Sequence, residues 1–162
     1  MGVVVSDTGP LIALAKVDQL HLLEALFDKV LIPPAVYREL LAKSGTEADR
    51  LDRALQNFIE LSPALQIPPE VEIATLNLDR GEREAVALAY THKALLVIDE
   101  RLERVAARTL GLTVTGVVGV VIQAKLSGLL HDVLSVLEAM RQRGYWLSDD
   151  VMDIAAQLAG EM

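Results

Sequence analysis

The sequence predicts an α/β fold, a three-layer α/β/α sandwich with a mainly parallel central sheet and extra C-terminal helices. Three observations carry that expectation. Short β-branched or apolar runs recur at 3–5, 29–32, 94–98 and 112–115. Helical segments, several of ten or more residues, separate the runs. The runs are continuous rather than alternating, as expected of parallel strands covered on both faces. A length of 162 residues fits one domain spanning 1–162.

Taken in order, Val3-Val4-Val5 forms the first strand and ends at Ser6-Asp7. Thr8-Gly9-Pro10 then offers a cap and a proline at the start of a helix carrying Leu11, Ile12, Leu14 and Ala15. Asp18 restarts a second helix with Leu20, Leu22, Leu23, Leu26 and Phe27. A short strand at 29–32 is closed by Pro33-Pro34, which opens a helix over 35–42. Residues 46–56 read as helix with Leu51 and Leu55 on one face, and 58–61 as a brief strand. The Pro-rich stretch 62–69 is a long loop but no domain boundary, because neither side alone buries a good core. A strong helix follows at 81–91, a strand at 94–98, a helix at 101–110 and a strand at 112–115. Helices at 117–126, 132–142 and 149–158 complete the chain.

Composition removes several classes of function. With 52% hydrophobic and 23% charged residues, the chain is neither disordered nor collagen-like. The longest apolar run, 112–122, falls short of the roughly 18 residues that span a bilayer. No basic region precedes an apolar stretch at the N-terminus, so no secretory signal is expected. The absence of cysteine removes disulfides, a thiol nucleophile and a thiolate zinc site. These features fit a cytoplasmic protein. The net charge of −8 argues against nonspecific duplex binding, which needs a basic face. There is no Gly-x-Gly-x-x-Gly and no Gly-Lys-Ser/Thr phosphate loop.

Convergent acids remain as the source of chemistry. In an open parallel sheet, ligands bind beyond the carboxyl ends of the strands. Asp7 and Asp99 both stand there, each directly after an apolar run. Taken singly, Asp7 reads equally as a helix cap and Asp99 as the start of a loop. Glu39 sits at the edge of the stripe formed by Val36 and Leu40, or is an exposed residue paired with Lys43. Glu82 shares the helical face of Ala85 and Ala89, whereas Glu84 falls about 100° away from Ala85. Asp79 and Glu82 also have the spacing of a reciprocal N-terminal cap. Asp132, Asp149, Asp150 and Asp153 read as helix-start residues. His21, His92 and His131 show no paired metal spacing, and Ser6 has no evident His and acid partners.

Carboxylates gathered at one rim repel and raise one another's pKa values unless a cation sits among them. Oxygen-only ligands suit Mg²⁺ or Mn²⁺. Such a site serves metal-assisted phosphodiester hydrolysis. An aspartyl phosphatase commonly has a second Asp two residues after the first, where Gly9 stands, and a receiver domain has paired acids that Asp7 lacks.

At these residues the chain resembles the PIN-domain family, small ribonucleases that include the VapC-like toxins. The resemblance lies in Val4-Val5-Ser6-Asp7-Thr8-Gly9-Pro10-Leu11-Ile12 and Ile32-Pro33-Pro34-Ala35-Val36-Tyr37-Arg38-Glu39-Leu40. It continues in Leu78-Asp79-Arg80-Gly81-Glu82-Arg83-Glu84-Ala85 and Leu95-Leu96-Val97-Ile98-Asp99-Glu100-Arg101. The last 40 or so residues carry little of it. It implies an α/β/α sandwich and an acidic Mg²⁺ or Mn²⁺ pocket in which Asp7, Glu39, Glu82 and Asp99 are the catalytic, metal-binding residues. It further implies an RNA substrate, a homodimer, and an antitoxin partner that places a segment, often an Arg, in the acidic groove. Thr8 matches a hydroxyl residue beside the first acid. In two places the chain departs from the pattern. Glu82 stands where many relatives carry Asp, with Glu84 as a competitor, and Val97 stands where many carry a hydroxyl. The expected activity is a metal-dependent endoribonuclease, the toxin of a toxin–antitoxin pair. The alternative is a catalytically silent PIN-like RNA-binding or scaffold domain.

Overall fold

In the computed structural model, which describes residues 2–63 and 66–162, the apolar runs become parallel strands of one sheet. The elements in chain order are β1 (Val3–Ser6), α1 (Thr8–Lys16), α2 (His21–Leu26), β2 (Lys29–Ile32), α3 (Pro34–Leu41), α4 (Thr46–Leu55) and β3 (Ile59–Leu61). They continue with α5 (Pro69–Ala74), α6 (Arg80–His92), β4 (Leu95–Val97), α7 (Arg101–Thr109) and β5 (Val114–Thr115). Last come α8 (Val117–Leu126), α9 (Val133–Gln142) and α10 (Asp149–Ala159). Among the described residues the sheet has five strands in the order β3-β2-β1-β4-β5, and every pairing is parallel. No helix among them is long and apolar enough to cross a membrane.

The pleat explains why the strands are apolar throughout. Side chains alternate between the two faces, and helices cover both. Val4, Val30 and Val97 enter a core shared with α1, α2, α8 and α9. Val5, Leu31 and Leu96 enter a second core shared with α6 and α7. Val4, Val5 and Leu96 are fully buried. This is the expected α/β sandwich, with β1 central and its carboxyl end opening onto the starts of helices.

Local departures from the sequence reading have local causes. Asp18 does not begin a helix: it takes a left-handed conformation (φ 56°) between α1 and α2, and α2 starts at His21. The stretch 62–69 is irregular at 62–63 and 66–68, and residues 64 and 65 lie outside the described residues. It ends earlier in effect than expected, because Pro69 opens α5 and buries Val71. A proline at the first helical position loses no hydrogen bond there, which is how Pro-Pro becomes a helix start. Asp132 and Ser148 cap α9 and α10, accepting from the N–H groups of Ser135 (3.1 Å) and Val151 (3.1 Å).

Candidate metal centre

The site is built where β1 and β4 end side by side. The Asp7 N–H donates to the Val97 carbonyl at 3.1 Å, which locks the two strand ends together. Asp7 also caps α1, its Oδ1 accepting from the Thr8 N–H at 2.8 Å. Asp99 follows one residue after Ile98, whose N–H bonds the Thr115 carbonyl at 2.9 Å. Asp99 is packed so tightly against α1 that a methyl group on Gly9 would collide with its carboxylate. Both strand-end acids therefore meet at one rim.

Two helices bring further acids. At the start of α6 the reciprocal cap is complete: Asp79 accepts from the Glu82 N–H at 2.8 Å, and Glu82 accepts from the Asp79 N–H at 3.0 Å. The capping and functional readings of Glu82 are compatible, because its carboxylate also lies with those of Asp7 and Glu103. One oxygen of each falls within 4.8 Å of the others. Glu103, on α7, is fully buried, and neither of its oxygens has a hydrogen-bond partner among the described donors. The Thr8 hydroxyl is likewise buried without a partner.

A buried carboxylate in that position is unstable as an anion. Burial pushes the Glu103 carboxyl up to about 11, helped by the Asp7 charge. It therefore carries a proton and presents it to Asp7. Burial raises Asp7 as well, while that proton and the Thr8 N–H hold it partly down. Burial raises Glu82, with Asp79 and Asp7 adding to the effect against the Asp79 N–H. Asp99 is raised by burial and by Asp7, and lowered by the Tyr145 hydroxyl and Arg104. Orphaned oxygens, mutual repulsion and an all-oxygen donor set together fit a hard divalent cation.

The DUF3368 family model, described as a PIN domain, matches residues 3–161. The chain belongs to this PIN-domain family. No curated protein matches it significantly. Among solved structures, a PilT N-terminus domain protein from the hyperthermophilic archaeon Sulfolobus solfataricus is similar, at 18% identity and a TM-score of 0.47. That likeness covers 82% of this chain and 96% of the other.

Within this PIN domain the four acids expected from sequence occupy two tiers. Asp7 and Glu82 belong to the tight cluster. Asp99 flanks it through Gly9. Glu39 is exposed and reaches over α6, where its Oε1 would stand 2.5 Å from a methyl group on Gly81. Glu84 has a different occupation. Its Oε1 accepts from the Ala35 N–H at 2.8 Å at the start of α3, and its Oε2 pairs with Arg80 at 3.0 Å. That bond ties α6 to α3, and it keeps Glu84 buried. Glu103 is the residue the sequence reading missed. It lies on one face with Ala106 and Ala107, the same spacing argument that selects Glu82.

Proposed function

We propose that residues 1–162 form one PIN-like domain that hydrolyses RNA phosphodiester bonds with Mg²⁺ or Mn²⁺. The observation that carries this reading is the trio of Asp7, Glu82 and Glu103, with both Glu103 oxygens buried and reached by no N–H or hydroxyl donor among the described residues. PIN domains are generally metal-dependent nucleases, and this chain keeps the acidic pocket that such activity needs. RNA as substrate, the toxin role, the antitoxin partner and a cytoplasmic location rest on the sequence resemblance. A homodimer rests on it too, and is supported by the exposure of Ile73, Leu102 and Val105 on α5 and α7.

In this mechanism Asp7, Glu82 and Glu103 would hold the cation, and Asp99 and Glu39 would contribute to a wider acidic rim. The cation supplies an acidified water and charge stabilisation at the reacting phosphoryl group. Glu103 would have to be deprotonated to serve as a ligand. The Asp7–Thr8 cap fixes the Asp7 carboxylate against rotation, and the Asp79–Glu82 box does the same for Glu82. Pre-set donors of this kind avoid reorganisation during reaction.

The test is cleavage of a mixed RNA pool with Mg²⁺ or Mn²⁺, with EDTA, Asp7→Asn and Glu103→Gln as controls. Loss of cutting in all three supports the assignment. Cutting that survives EDTA and Asp7→Asn refutes it, and no cutting on any RNA favours the silent binding-domain reading.

A further inference from the structure

Asp99 has a second neighbourhood, outside the acidic cluster. It lies at one end of a cleft of about 730 Å³ bounded by Arg104, the start of α8 at Gly116, and the turn that carries Tyr145 and Trp146 between α9 and α10. The turn is firmly held. Tyr145 is half-buried, its N–H bonds the Met140 carbonyl at 3.0 Å, and its hydroxyl lies beside Asp99. Leu147 is buried, and its carbonyl accepts from Arg141 at 3.3 Å. Between these two anchors Trp146 is 82% exposed. A large aromatic ring held outward by a fixed turn, on the wall of a cleft, leaves its apolar face in water at a cost that a ligand can relieve.

The opposite wall offers a cation and free helix-start donors, set beside the Asp99 and Glu100 carboxylates that also line the cleft. The Arg104 guanidinium donates to the Ile98 carbonyl at 3.2 Å and fills the space over Gly116, where a methyl group would collide with it. Its Nε is buried without a partner among the described residues. The first residues of α8 line the same cleft, and no side chain caps the start of that helix. A ligand that fits all of this has a negative group for Arg104 and a flat apolar group for Trp146. It must also be continuous with whatever reacts beside Asp99.

We propose that this cleft is a nucleotide subsite for single-stranded RNA: Arg104 and the start of α8 take a backbone phosphate next to the scissile one, and Trp146 stacks its base. The inference rests on the nuclease reading for its substrate class. Stacking on one aromatic ring is sequence-tolerant, so the subsite demands an unpaired base rather than a particular one. Duplex RNA, with its bases stacked inside, has no face to offer Trp146.

Trp146 is the sole tryptophan, so its fluorescence reports on this position alone. The full-length protein in Mg²⁺ is titrated with a single-stranded uridine hexamer, a duplex of equal length, and an abasic ribose-phosphate hexamer. The single strand should quench saturably, and the duplex and abasic chains should not. By anisotropy of a labelled hexamer, Trp146→Ala should weaken binding about tenfold, and Trp146→Phe should restore most of it. Arg104→Met should weaken binding and lower the salt slope by about one. Thermal melts confirm that each variant is folded. Equal quenching by duplex or abasic chains, or unchanged affinity in Trp146→Ala, overturns the subsite. So does quenching by protein concentration alone, which would make Trp146 an interface between copies. Quenching without any cutting sinks the nuclease reading and leaves the subsite standing. Full-rate cutting by Trp146→Ala does the reverse.

Discussion

Glu103→Gln separates a cation ligand from a structural acid. In the cation-free protein burial pushes the Glu103 carboxyl up to about 11, so at pH 7 it is protonated. Glutamine has nearly the shape of that protonated acid and can donate to Asp7 in its place. In EDTA the substitution should therefore leave the melting temperature near that of the unaltered protein at acidic pH and raise it near pH 7, where glutamine escapes the cost of protonating the carboxyl on folding. Cation binding is another matter, because glutamine has no proton to lose and no charge to offer. At about 100 times Kd, Mn²⁺ should stabilise the unaltered protein by about 2.7 kcal/mol, a rise of roughly 5–11 °C. Glu103→Gln should lose most of that rise.

The pH dependence has a definite sign. The folded Glu103 carboxyl binds its proton more tightly than the unfolded one, whose ordinary value is 4.5. Its contribution to stability is full below that value and is lost as pH rises toward about 11. Asp7, Glu82 and Asp99 are displaced in the same direction. The cation-free protein should thus melt higher at pH 5 than at pH 8, and Glu103→Gln should flatten that slope. Differential scanning fluorimetry at both pH values, with EDTA and with Mn²⁺, reads every arm. A variant that melts many degrees lower in EDTA, or that keeps the full Mn²⁺ shift, would refute the reasoning.

Three more outcomes are expected. Glu84→Gln should lower stability by about 1–2 kcal/mol through its bond to the Ala35 N–H yet keep the Mn²⁺-induced melting shift, whereas Glu82→Gln should lose that shift; the opposite pattern exchanges their roles. Gly9→Ala should push the Asp99 carboxylate aside, cutting RNA cleavage at least tenfold while denaturant unfolding shows a change within about 1 kcal/mol. Glu161 is raised by its partial burial but brought below its ordinary value by Lys125 and the N–H groups of Leu134 and Val133. Its contribution is present above the usual carboxylate range and fades as pH falls through its depressed value, so Glu161→Gln should lower the melting temperature at pH 7 by a few degrees and at pH 3 by less.

Strand-end acids were legible because an apolar run that stops at a charge marks its own boundary. Asp7 and Asp99 announce themselves in this way, and the parallel sheet follows from the same runs. Glu82 was legible from the Ala85 and Ala89 face. Glu103 obeys the same rule with Ala106 and Ala107, but α7 conceals it. Its bulky apolar residues, Leu102 and Val105, are 62% and 54% exposed, so hydrophobicity points to the wrong face. The narrow inward stripe is made of alanines because the helix lies close to the sheet, and only the fold reveals that closeness. Glu84 escaped for another reason. Its partner, the Ala35 N–H, is 49 residues away, and a backbone donor has no signature in sequence.

The central place of β1 also determines when the site can exist. Its neighbour on one side is β2, 26 residues on, but its other neighbour is β4 at Leu95–Val97. As the chain leaves the ribosome, Asp7 emerges 96 residues ahead of Glu103. A strand pairing across that separation closes a long loop before it gains contacts, which places it late in folding. No chain that stops short of α7 therefore holds the acidic trio, and any activity that depends on it is withheld until α7 has been synthesised and has folded against the first strand.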